Sequence, residues 1–510
     1  MSRPLKMGTA AGVVAASVLL SRLLALGRES ILATLIGIDE EGDLYRQAFL
    51  IPDLLNYLLA GAYLTITLIP ILSRHLERGD PESASRAFTS VFRFVGLSIV
   101  GLTVVMWVAA GPLVSLIFPE VPDPDRLVSL TRLVLPAQVF LVMGALLMAV
   151  QYTHRRFLLP ALAPIVYNLG IIVGGLIGAA AGEAGPEGFL WGAVIGSALG
   201  NFALQWAGAR STGTWLTALL RGESSVREYL TLALPLMLGQ SVAVLDEQFV
   251  RWFGQVEEGA TAALSFARQL GMVPIGVIAQ AAGVAAFPFL ARLAAGDDEE
   301  GLIRATGRAA RNTVFVAAAA TAALVVLARP LVRLLYQHGR FTEENAEVVA
   351  GLLVVYAFSI PAWGLHQILS RHFYAKRLMW RVVLIGTAGT LVAIPVWLGL
   401  YEVMGVDGFA LASTLVMTAY ALALLVTWGL DAGWGPVRAL VPSVLRGLAA
   451  AAVAALLAYP LVRVLFDEER LSLLEGLAAT ALGGVTTVAA FLGVAYLLRA
   501  PELRDLLRRG

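Results

Sequence analysis

The sequence predicts an all-α polytopic membrane protein, and three observations support this fold class. Hydrophobic residues make up 58% of the 510-residue chain and charged residues only 14%, which is too apolar for a soluble protein of this length. Apolar runs long enough to cross a bilayer recur along the chain, and the loops between them alternate in charge. The net charge of +1 gives no indication of nucleic acid binding, and the absence of cysteine excludes disulfides and thiolate chemistry.

A spanning helix needs about 20 apolar residues, and this criterion predicts fourteen transmembrane helices. Their approximate ranges are 7–36, 44–73, 87–118, 127–152, 158–180, 188–209, 227–253, 260–291, 309–336, 346–373, 379–400, 407–430, 440–465 and 472–498. The first run resembles a signal peptide but has no convincing small-residue cleavage site, so we expect it to be retained as a helix.

The helices divide into two lobes of six and an addition of two. We predict an N-terminal lobe at 1–220, a C-terminal lobe at 221–432, and helices thirteen and fourteen with a cytoplasmic tail at 433–510. An internal repeat supports this division. Pro70 and Arg74 recur as Pro288 and Arg292, 218 residues further on, and the GPLVSLIF segment recurs as RPLVRLLY at the same offset. Six helices per repeat imply two lobes of parallel topology, which is a common plan of secondary transporters.

The charges of the loops predict the orientation in the membrane. The basic loops are 73–80, 153–157, 210–227, 292–311, 371–377, the loop with Arg438, and the tail from Arg499. The opposite loops are acidic and lie at 39–43, 119–125, 183–187, 256–259 and 467–469. Because Lys and Arg are enriched on the cytoplasmic side, both termini are predicted to be cytoplasmic, in agreement with an even number of helices.

Charged side chains cluster in and beside the first two predicted helices. They are Arg22, Arg28, Glu29, Asp43, Arg46 and Asp53. A charge at the centre of a transmembrane helix costs roughly 2.5–3.5 kcal/mol, so such residues usually face a polar cavity or a partner. We expect these two helices to line a hydrated cavity for an anionic substrate. The alternative is that long side chains reach the membrane interface from near a helix end, which would account for Arg46 and Arg22 more easily than for Arg28.

A second charged cluster lies in helices seven and eight. It consists of Asp246, Glu247, Arg251, Arg268 and Gln269, and at the repeat offset Arg28–Glu29 falls on Asp246–Glu247. One interpretation is that these residues face Arg22 and Arg28 across a central cavity. The other is an ion-pair network between helices seven and eight that only fixes their packing.

The sequence contains no motif typical of an enzyme. It lacks a P-loop, an HExxH and a GxSxG segment, and its five histidines form no cluster with metal-ligand spacing. We therefore predict a protein that is not an enzyme and that has no cofactor and no metal site.

Five segments resemble one family of membrane proteins: SRLLALGRE, FLIPDLL, RRFLLPALAPIVYNLGII, RPLVRLLYQHGRFT and LSRHFYA. They are similar to the MurJ (MviN) lipid II flippases of bacterial cell-wall synthesis, which belong to the multidrug/oligosaccharidyl-lipid/polysaccharide (MOP) exporter superfamily. The resemblance covers nearly the whole chain. It implies two six-helix lobes, a central cationic cavity, a groove for the lipid tail beside helices thirteen and fourteen, and alternating access driven by membrane potential or an ion.

The resemblance also implies roles for individual residues. The family's two first-helix arginines fall on Arg22 and Arg28, and its acidic residue at the start of helix two falls on Asp43. Arg46, Arg268 and Gln269 complete the expected substrate-binding set. Glu29, Asp53, Asp246, Glu247 and Arg251 are expected in the cavity or in gating.

This sequence departs from the family pattern at three sets of positions. The family's Asp-Arg on helix eight falls here on Arg268–Gln269, so one basic charge remains but is shifted by one residue. The family's basic residues on helix two fall here on Leu50 and on Asn56–Tyr57. The sodium ligands of some members fall on Val250, Thr390 and Ile394, which are poor ligands. The poor ligands at these three positions predict that sodium does not drive transport through that site.

The leading functional hypothesis is a flippase that moves lipid II from the cytoplasmic to the outer leaflet of the bacterial inner membrane. Two alternatives remain open. One is an exporter of another undecaprenyl-diphosphate-linked glycan or another MOP-type antiporter, and the other is a non-transporting scaffold for cell-wall enzymes. The expected partners are lipid II, membrane lipids and cell-wall synthesis proteins, and the protein is expected to be a monomer that does not bind nucleic acid.

Overall fold

A computed structural model describes residues 7–58, 64–182, 184–214, 216, 225–238, 242–296, 298–465 and 473–507. In these ranges all regular secondary structure is helical, which confirms the all-α prediction. The chain forms two compact units. Unit 1 comprises Met1–Gln240, Arg251–Ala262 and His338–Phe341, and unit 2 comprises Ser241–Val250, Ala263–Gln337 and Thr342–Gly510. The division of the sequence into two lobes and a C-terminal addition stays a prediction.

The N-terminal part of the chain supplies twelve α-helices to unit 1. They are α1 (Met7–Leu35), α2 (Glu40–Gln47), α3 (Leu50–Leu58), α4 (Leu64–Glu77), α5 (Pro81–Val108), α6 (Ala110–Ile117), α7 (Pro124–Val134), α8 (Ala137–Thr153), α9 (Leu158–Ala180), α10 (Pro186–Gly196), α11 (Leu204–Arg210) and α12 (Ser225–Leu238). A π-helical segment, Ser197–Ala203, joins α10 to α11. Aspartates mark several helix starts: the Asp80 carboxylate accepts a hydrogen bond from the Ser83 amide (2.9 Å), and Pro81 occupies the first turn.

Ten further helices follow. They are α13 (Val242–Phe253), α14 (Ala260–Ala295), α15 (Glu299–Tyr336), α16 (Glu343–Ala357), α17 (Ile360–Ala375), α18 (Met379–Ala432), α19 (Trp434–Arg438), α20 (Val441–Leu465), α21 (Leu473–Leu497) and α22 (Pro501–Leu507). The end of α13, the start of α14 and the 3-10 turn between them (Gly254–Val256) belong to unit 1. The remaining helical residues belong to unit 2.

Seven helical segments of the described chain are long and apolar enough to cross a membrane. They are Pro81–Val108, Pro124–Thr153, Leu158–Ala180, Glu299–Tyr336, Met379–Ala432, Trp434–Val464 and Leu474–Leu497. The pair α16 and α17, bent by 41°, counts as an eighth if it forms one span. The helix α18 would be about 80 Å long at 1.5 Å per residue, but the non-helical backbone of Gly405 (φ 58°, ψ −137°) divides it. The two predicted spans 379–400 and 407–430 lie on either side of this break. The total of fourteen spans stays a prediction.

Glycines allow α9 and α10 to approach closely inside unit 1. A Cβ on Gly174 would lie 2.3 Å from the Gly188 carbonyl oxygen, and a Cβ on Gly192 would lie 2.3 Å from the Gly170 carbonyl oxygen. Small residues are typical of helix interfaces in membranes, where close backbone packing replaces the hydrophobic driving force. The helix α9 also carries Asn168, so this packing fixes the position of one of the polar side chains described next.

Candidate functional site

A buried glutamate in α1 organises the charged residues of unit 1. The Glu29 side chain is only 4% exposed. Its Oε1 atom accepts hydrogen bonds from Nη2 (2.6 Å) and Nε (3.2 Å) of Arg28, and its Oε2 atom accepts one from Nη2 of Arg46 (2.8 Å). The three residues therefore form one network between α1 and α2. Two arginines share one carboxylate, so the network carries an excess positive charge.

The Arg28 guanidinium is held in place by hydrogen bonds that do not use all of its N–H donors. Its Nη1 atom donates a hydrogen bond to the Asn168 side-chain oxygen (3.1 Å), and the Asn168 amide nitrogen donates in turn to the Pro164 carbonyl oxygen (2.8 Å). A guanidinium has five N–H donors, and the contacts of Arg28 with described residues use three of them. The side chain is 20% exposed. One N–H on each terminal nitrogen therefore remains for an acceptor from outside the network.

Arg22 lies outside this network. It is on α1, six residues before Arg28, and its side chain is half-buried. It makes no ion pair with a described residue. The separation follows from helix geometry, because six residues correspond to about 9 Å along the axis and about 120° around it. The two first-helix arginines are therefore separate positions rather than a single clamp.

Asp43 holds a loop of the later sequence in unit 1. Its carboxylate oxygens accept hydrogen bonds from the amides of Gly259 (to Oδ2, 2.8 Å) and Ala262 (to Oδ1, 2.8 Å), and the residue is buried. Next to it, Gln47 donates from Nε2 to the Thr261 hydroxyl (3.2 Å). The carboxylate thus satisfies amides at the start of α14, which is the role of an N-terminal cap.

Two further contacts tie later segments to the early helices of unit 1. Nη1 of Arg251 donates to Oδ2 of Asp53 (2.7 Å), and the Arg251 side chain is only 10% exposed. The Arg340 amide donates to the Thr34 carbonyl oxygen (3.0 Å). Together with the Asp43 contacts, these bonds form a set that we call the acidic-loop lock, because Asp43 belongs to the acidic segment 39–43 that the sequence predicts as a loop; in the structure Asp43 is in α2. The lock consists of Thr34, Asp43, Gln47, Asp53, Arg251, Gly259, Thr261, Ala262 and Arg340.

Unit 2 contains part of the second charged cluster. Nη1 of Arg268, in α14, lies 3.3 Å from Oε2 of Glu247, in α13. An ion pair between these two segments, the predicted spans 227–253 and 260–291, is one of the two interpretations of the sequence. Gln269 is half-buried. The side chain of Asp246 lies outside the described residues. The placement of this cluster in a cavity shared with Arg22 and Arg28 stays a prediction.

The positions that depart from the family pattern have other contacts. Asn56 donates from Nδ2 to the Gln138 side-chain oxygen (2.8 Å). The Thr390 hydroxyl donates to the Gly386 carbonyl oxygen of its own helix (2.9 Å), and Val250 is a buried apolar side chain. In the described part of the chain, no group of three or more His, Cys, Asp or Glu residues has a geometry that could hold a metal ion.

Sequence reasoning missed the long-range partners of the site. Asn168 is a polar residue within the predicted span 158–180. Nothing in the neighbouring sequence indicates that it pairs with Arg28, 140 residues earlier. The same holds for Gln47 and Thr261, which are 214 residues apart. The glycines of α9 and α10 do have a signal in the sequence, because they recur at spacings of four residues.

Known proteins resemble this chain over most of its length. The family model "Lipid II flippase MurJ" matches residues 32–470. A probable lipid II flippase MurJ of Rhizobium meliloti (strain 1021) is 25% identical over 499 residues, which cover 94% of this chain and 92% of that protein. A probable lipid II flippase MurJ of Synechocystis sp. is 26% identical over 385 residues, which cover 72% and 70%.

Solved structures share the fold. A lipid II flippase MurJ in an inward closed conformation superimposes with a TM-score of 0.75 at 20% identity and covers 97% of this chain and 99% of that one. An inward-facing multidrug resistance MATE transporter of the MOP superfamily superimposes with a TM-score of 0.66 at 15% identity and covers 81% and 94%. The fold is that of an all-helical, multi-pass membrane protein, and the solved MurJ and MATE structures share it. Within that class, the chain belongs to the lipid II flippase MurJ family.

Proposed function

We propose that this protein is a flippase that moves lipid II from the cytoplasmic to the outer leaflet of the bacterial inner membrane by alternating access. The observation that carries the proposal is the match of residues 32–470 to the lipid II flippase family. The Arg28–Glu29–Arg46 network supports it chemically, because its excess positive charge suits an anionic cargo. A transporter of this family catalyses no covalent reaction, so the site residues are assigned to binding and gating.

The diphosphate of the cargo is its densest charge, and Arg28 is its proposed ligand. Guanidinium is planar and always protonated, and it donates two parallel hydrogen bonds to phosphate oxygens. The two N–H donors that Arg28 retains are on different terminal nitrogens, which is the arrangement a bidentate contact uses. Glu29 and Asn168 hold the guanidinium in one orientation, so little side-chain entropy is lost on binding. Arg22 would contact the cargo at another stage of its path, and Arg46, Arg268 and Gln269 complete the proposed binding set.

The substitution Arg28→Lys tests this assignment. Lysine keeps the charge that Glu29 requires but loses the planar fork, so folding should be retained while transport falls. We expect the rate of lipid II flipping in proteoliposomes to fall at least about tenfold, since a charge-assisted hydrogen bond contributes about 1.5–3 kcal/mol. A host depleted of its own lipid II flippase should be rescued by the wild-type protein and poorly by this variant.

The matched control is Arg86→Lys. Arg86 also pairs with a carboxylate, Glu82 (2.9 Å), but that pair is solvent-exposed on α5. The control should flip lipid II at the wild-type rate. A normally folded Arg28→Lys protein that flips at the wild-type rate would contradict the role of Arg28. Failure of the wild-type protein to rescue the depleted host would contradict the proposed function itself.

The acidic-loop lock is proposed to act in gating. Asp43 and the Asp53–Arg251 pair hold segment 251–262 against the early helices of unit 1. These bonds would have to break for segment 251–262 to move away from those helices during gating. Asp43 thereby contributes to transport through the lock, in addition to the substrate contact that the family resemblance implies. Glu29, Asp246 and Glu247 are the further residues proposed for the cavity or gating.

A second candidate cargo is a different undecaprenyl-diphosphate-linked glycan. Asn56 favours it, because the residue stands where the family has arginine and is engaged with Gln138. Such a cargo keeps the diphosphate that Arg28 would bind but lacks the peptide of lipid II. Flipping of a peptide-free undecaprenyl-diphosphate glycan at a higher rate than lipid II would favour this candidate.

The orientation and assembly state complete the proposal. The basic loops and both termini are proposed to face the cytoplasm, on the charge rule for short loops. The protein is proposed to work as a monomer, with cell-wall synthesis proteins as its partners in the membrane.

A further inference from the structure

Unit 2 contains a cleft that the proposed transport mechanism does not use. It lies where the end of α14, the start of α15 and the end of α17 meet, and it has a volume of about 550 Å³. Three of its described lining residues are charged, namely Glu299, Lys376 and Arg377, and one is Tyr374. The other six are apolar: Ala291, Leu293, Ala294, Ala295, Leu302 and Ala375. The two basic residues, Lys376 and Arg377, follow directly on the last residue of α17. We call this feature the Arg377 cleft.

The backbone of Arg377 is held in an unusual conformation. Its φ is 59°, in the left-handed region that favours glycine. The turn is a helix C-terminus of the Schellman type: the Leu378 amide donates to the Phe373 carbonyl oxygen (2.8 Å), and the Arg377 amide donates to the Tyr374 carbonyl oxygen (3.0 Å). The chain thus places an arginine where glycine would fit with less strain.

Two other arginines occupy the same kind of position. Arg155 (φ 56°) and Arg499 (φ 51°) also follow helix ends with the Schellman pair of hydrogen bonds, and both are in basic loops. In the described chain, every non-glycine residue with positive φ is one of these three arginines. Because arginine recurs at three positions whose backbone favours glycine, we infer that its side chain has a role there. Of the three, Arg377 is the one that lines the cleft, so Arg155 and Arg499 are natural controls.

The charges of the Arg377 cleft suit an anion. Nζ of Lys376 lies 2.8 Å from Oε1 of Glu299, so that cation is already paired. Arg377 forms no ion pair with a described residue. Among the described lining residues, cations therefore exceed anions by one, and the additional cation has a planar fork that matches phosphate.

The apolar part of the lining distinguishes between anions. Six of the ten described lining residues are alanine or leucine, and free inorganic phosphate would gain nothing from them. A phospholipid would place its glycerol and upper acyl carbons there. Tyr374, which is 42% exposed, combines an apolar ring with a polar tip, as is typical of side chains at the lipid headgroup level.

We propose that the Arg377 cleft is a binding site for an anionic phospholipid, with the headgroup phosphate on Arg377 and Lys376 and the acyl chains on the apolar lining. The site belongs to unit 2 alone and is distinct from the Arg28 network. Bound lipid would fix the junction of α14, α15 and α17.

The experiment uses the purified full-length protein in detergent and measures lipid binding by native mass spectrometry. Phosphatidylglycerol is titrated into the wild-type protein and into Arg377→Gly, which removes the charge and places the preferred residue at φ 59°. The matched control is Arg155→Gly, with the same loss of charge and the same relief of strain at a position that is not among the residues lining the Arg377 cleft. The dissociation constant of the tightest-bound phosphatidylglycerol should rise at least about tenfold in Arg377→Gly and stay within about twofold in Arg155→Gly, since charge-assisted hydrogen bonds are worth that much.

Three further arms identify the ligand. Lys376→Gln should also weaken binding, and it should fold because Glu299 is 64% exposed in its side chain and tolerates the loss of its partner. Phosphatidylcholine should bind more weakly than phosphatidylglycerol at this site. Excess inorganic phosphate should leave the lipid bound.

Equal phosphatidylglycerol affinity in Arg377→Gly and Arg155→Gly would overturn the proposal, and so would equal binding of phosphatidylcholine. Displacement of the lipid by inorganic phosphate would reassign the cleft to the free ion. None of these outcomes depends on flipping, so they are independent of the proposed function.

Discussion

The Glu29→Gln substitution should destabilise the protein far more than the loss of an ordinary ion pair. Glutamine preserves the shape of the side chain but removes the charge, so Arg28 and Arg46 lose the carboxylate that they share. Arg46 is 10% exposed and Arg28 is 20% exposed, which leaves little water to compensate them. Breaking a buried pair from one side costs about 3–5 kcal/mol. Because Arg28 retains partial exposure, we expect a loss of about 3 kcal/mol in the free energy of unfolding.

The measurement is unfolding in mixed micelles of rising SDS content, followed by the fluorescence of the ten tryptophans. The control is Glu82→Gln, which breaks the Arg86–Glu82 pair (2.9 Å) on the surface of α5, where the Glu82 side chain is 76% exposed. That change should cost about 0.3–0.5 kcal/mol. The double variant Glu29→Gln, Arg46→Met should recover part of the loss, because it removes one of the two arginine charges that Glu29 neutralises in the wild-type protein. A Glu29→Gln protein as stable as Glu82→Gln would refute the assignment of Glu29 as the centre of the network.

Three other predictions concern topology, coupling and packing. In this cysteine-free chain, the single change Glu300→Cys should react with an impermeant thiol reagent only after the cells are opened, and labelling from outside intact cells would contradict the proposed orientation. Flipping should respond to membrane potential, at roughly 2.3 kcal/mol per elementary charge per 100 mV, and should proceed without sodium because Val250 and Ile394 have no side-chain oxygen to coordinate the ion. Sodium-dependent flipping that survives collapse of the potential would show otherwise. Gly174→Leu should lower thermal stability sharply, since even a Cβ there would lie 2.3 Å from the Gly188 carbonyl oxygen, whereas Gly101→Leu, with nothing within 4 Å of its Cβ, should be tolerated.

The sequence by itself determined the fold class and the position of the charges along the chain. Both depend on short-range properties, because the hydropathy of about 20 consecutive residues decides whether a segment can cross a bilayer. Arg28 and Glu29 were recognisable as unusual because they are charged residues inside an apolar segment of that length. The family resemblance rested on contiguous segments, and the family model confirms it over residues 32–470.

Only the tertiary structure decided which charges are partners. The sequence did not show which residues contact Arg28, and the structure pairs Arg28 with its neighbour Glu29 and with Asn168. It commits Asp43 to the amides of Gly259 and Ala262, 216 and 219 residues away. The energy of a buried ion pair depends on distance and on exclusion of water, and both are set by how the helices pack. No pattern within a single helix records that packing, so the network around Glu29 became visible only once the chain was folded.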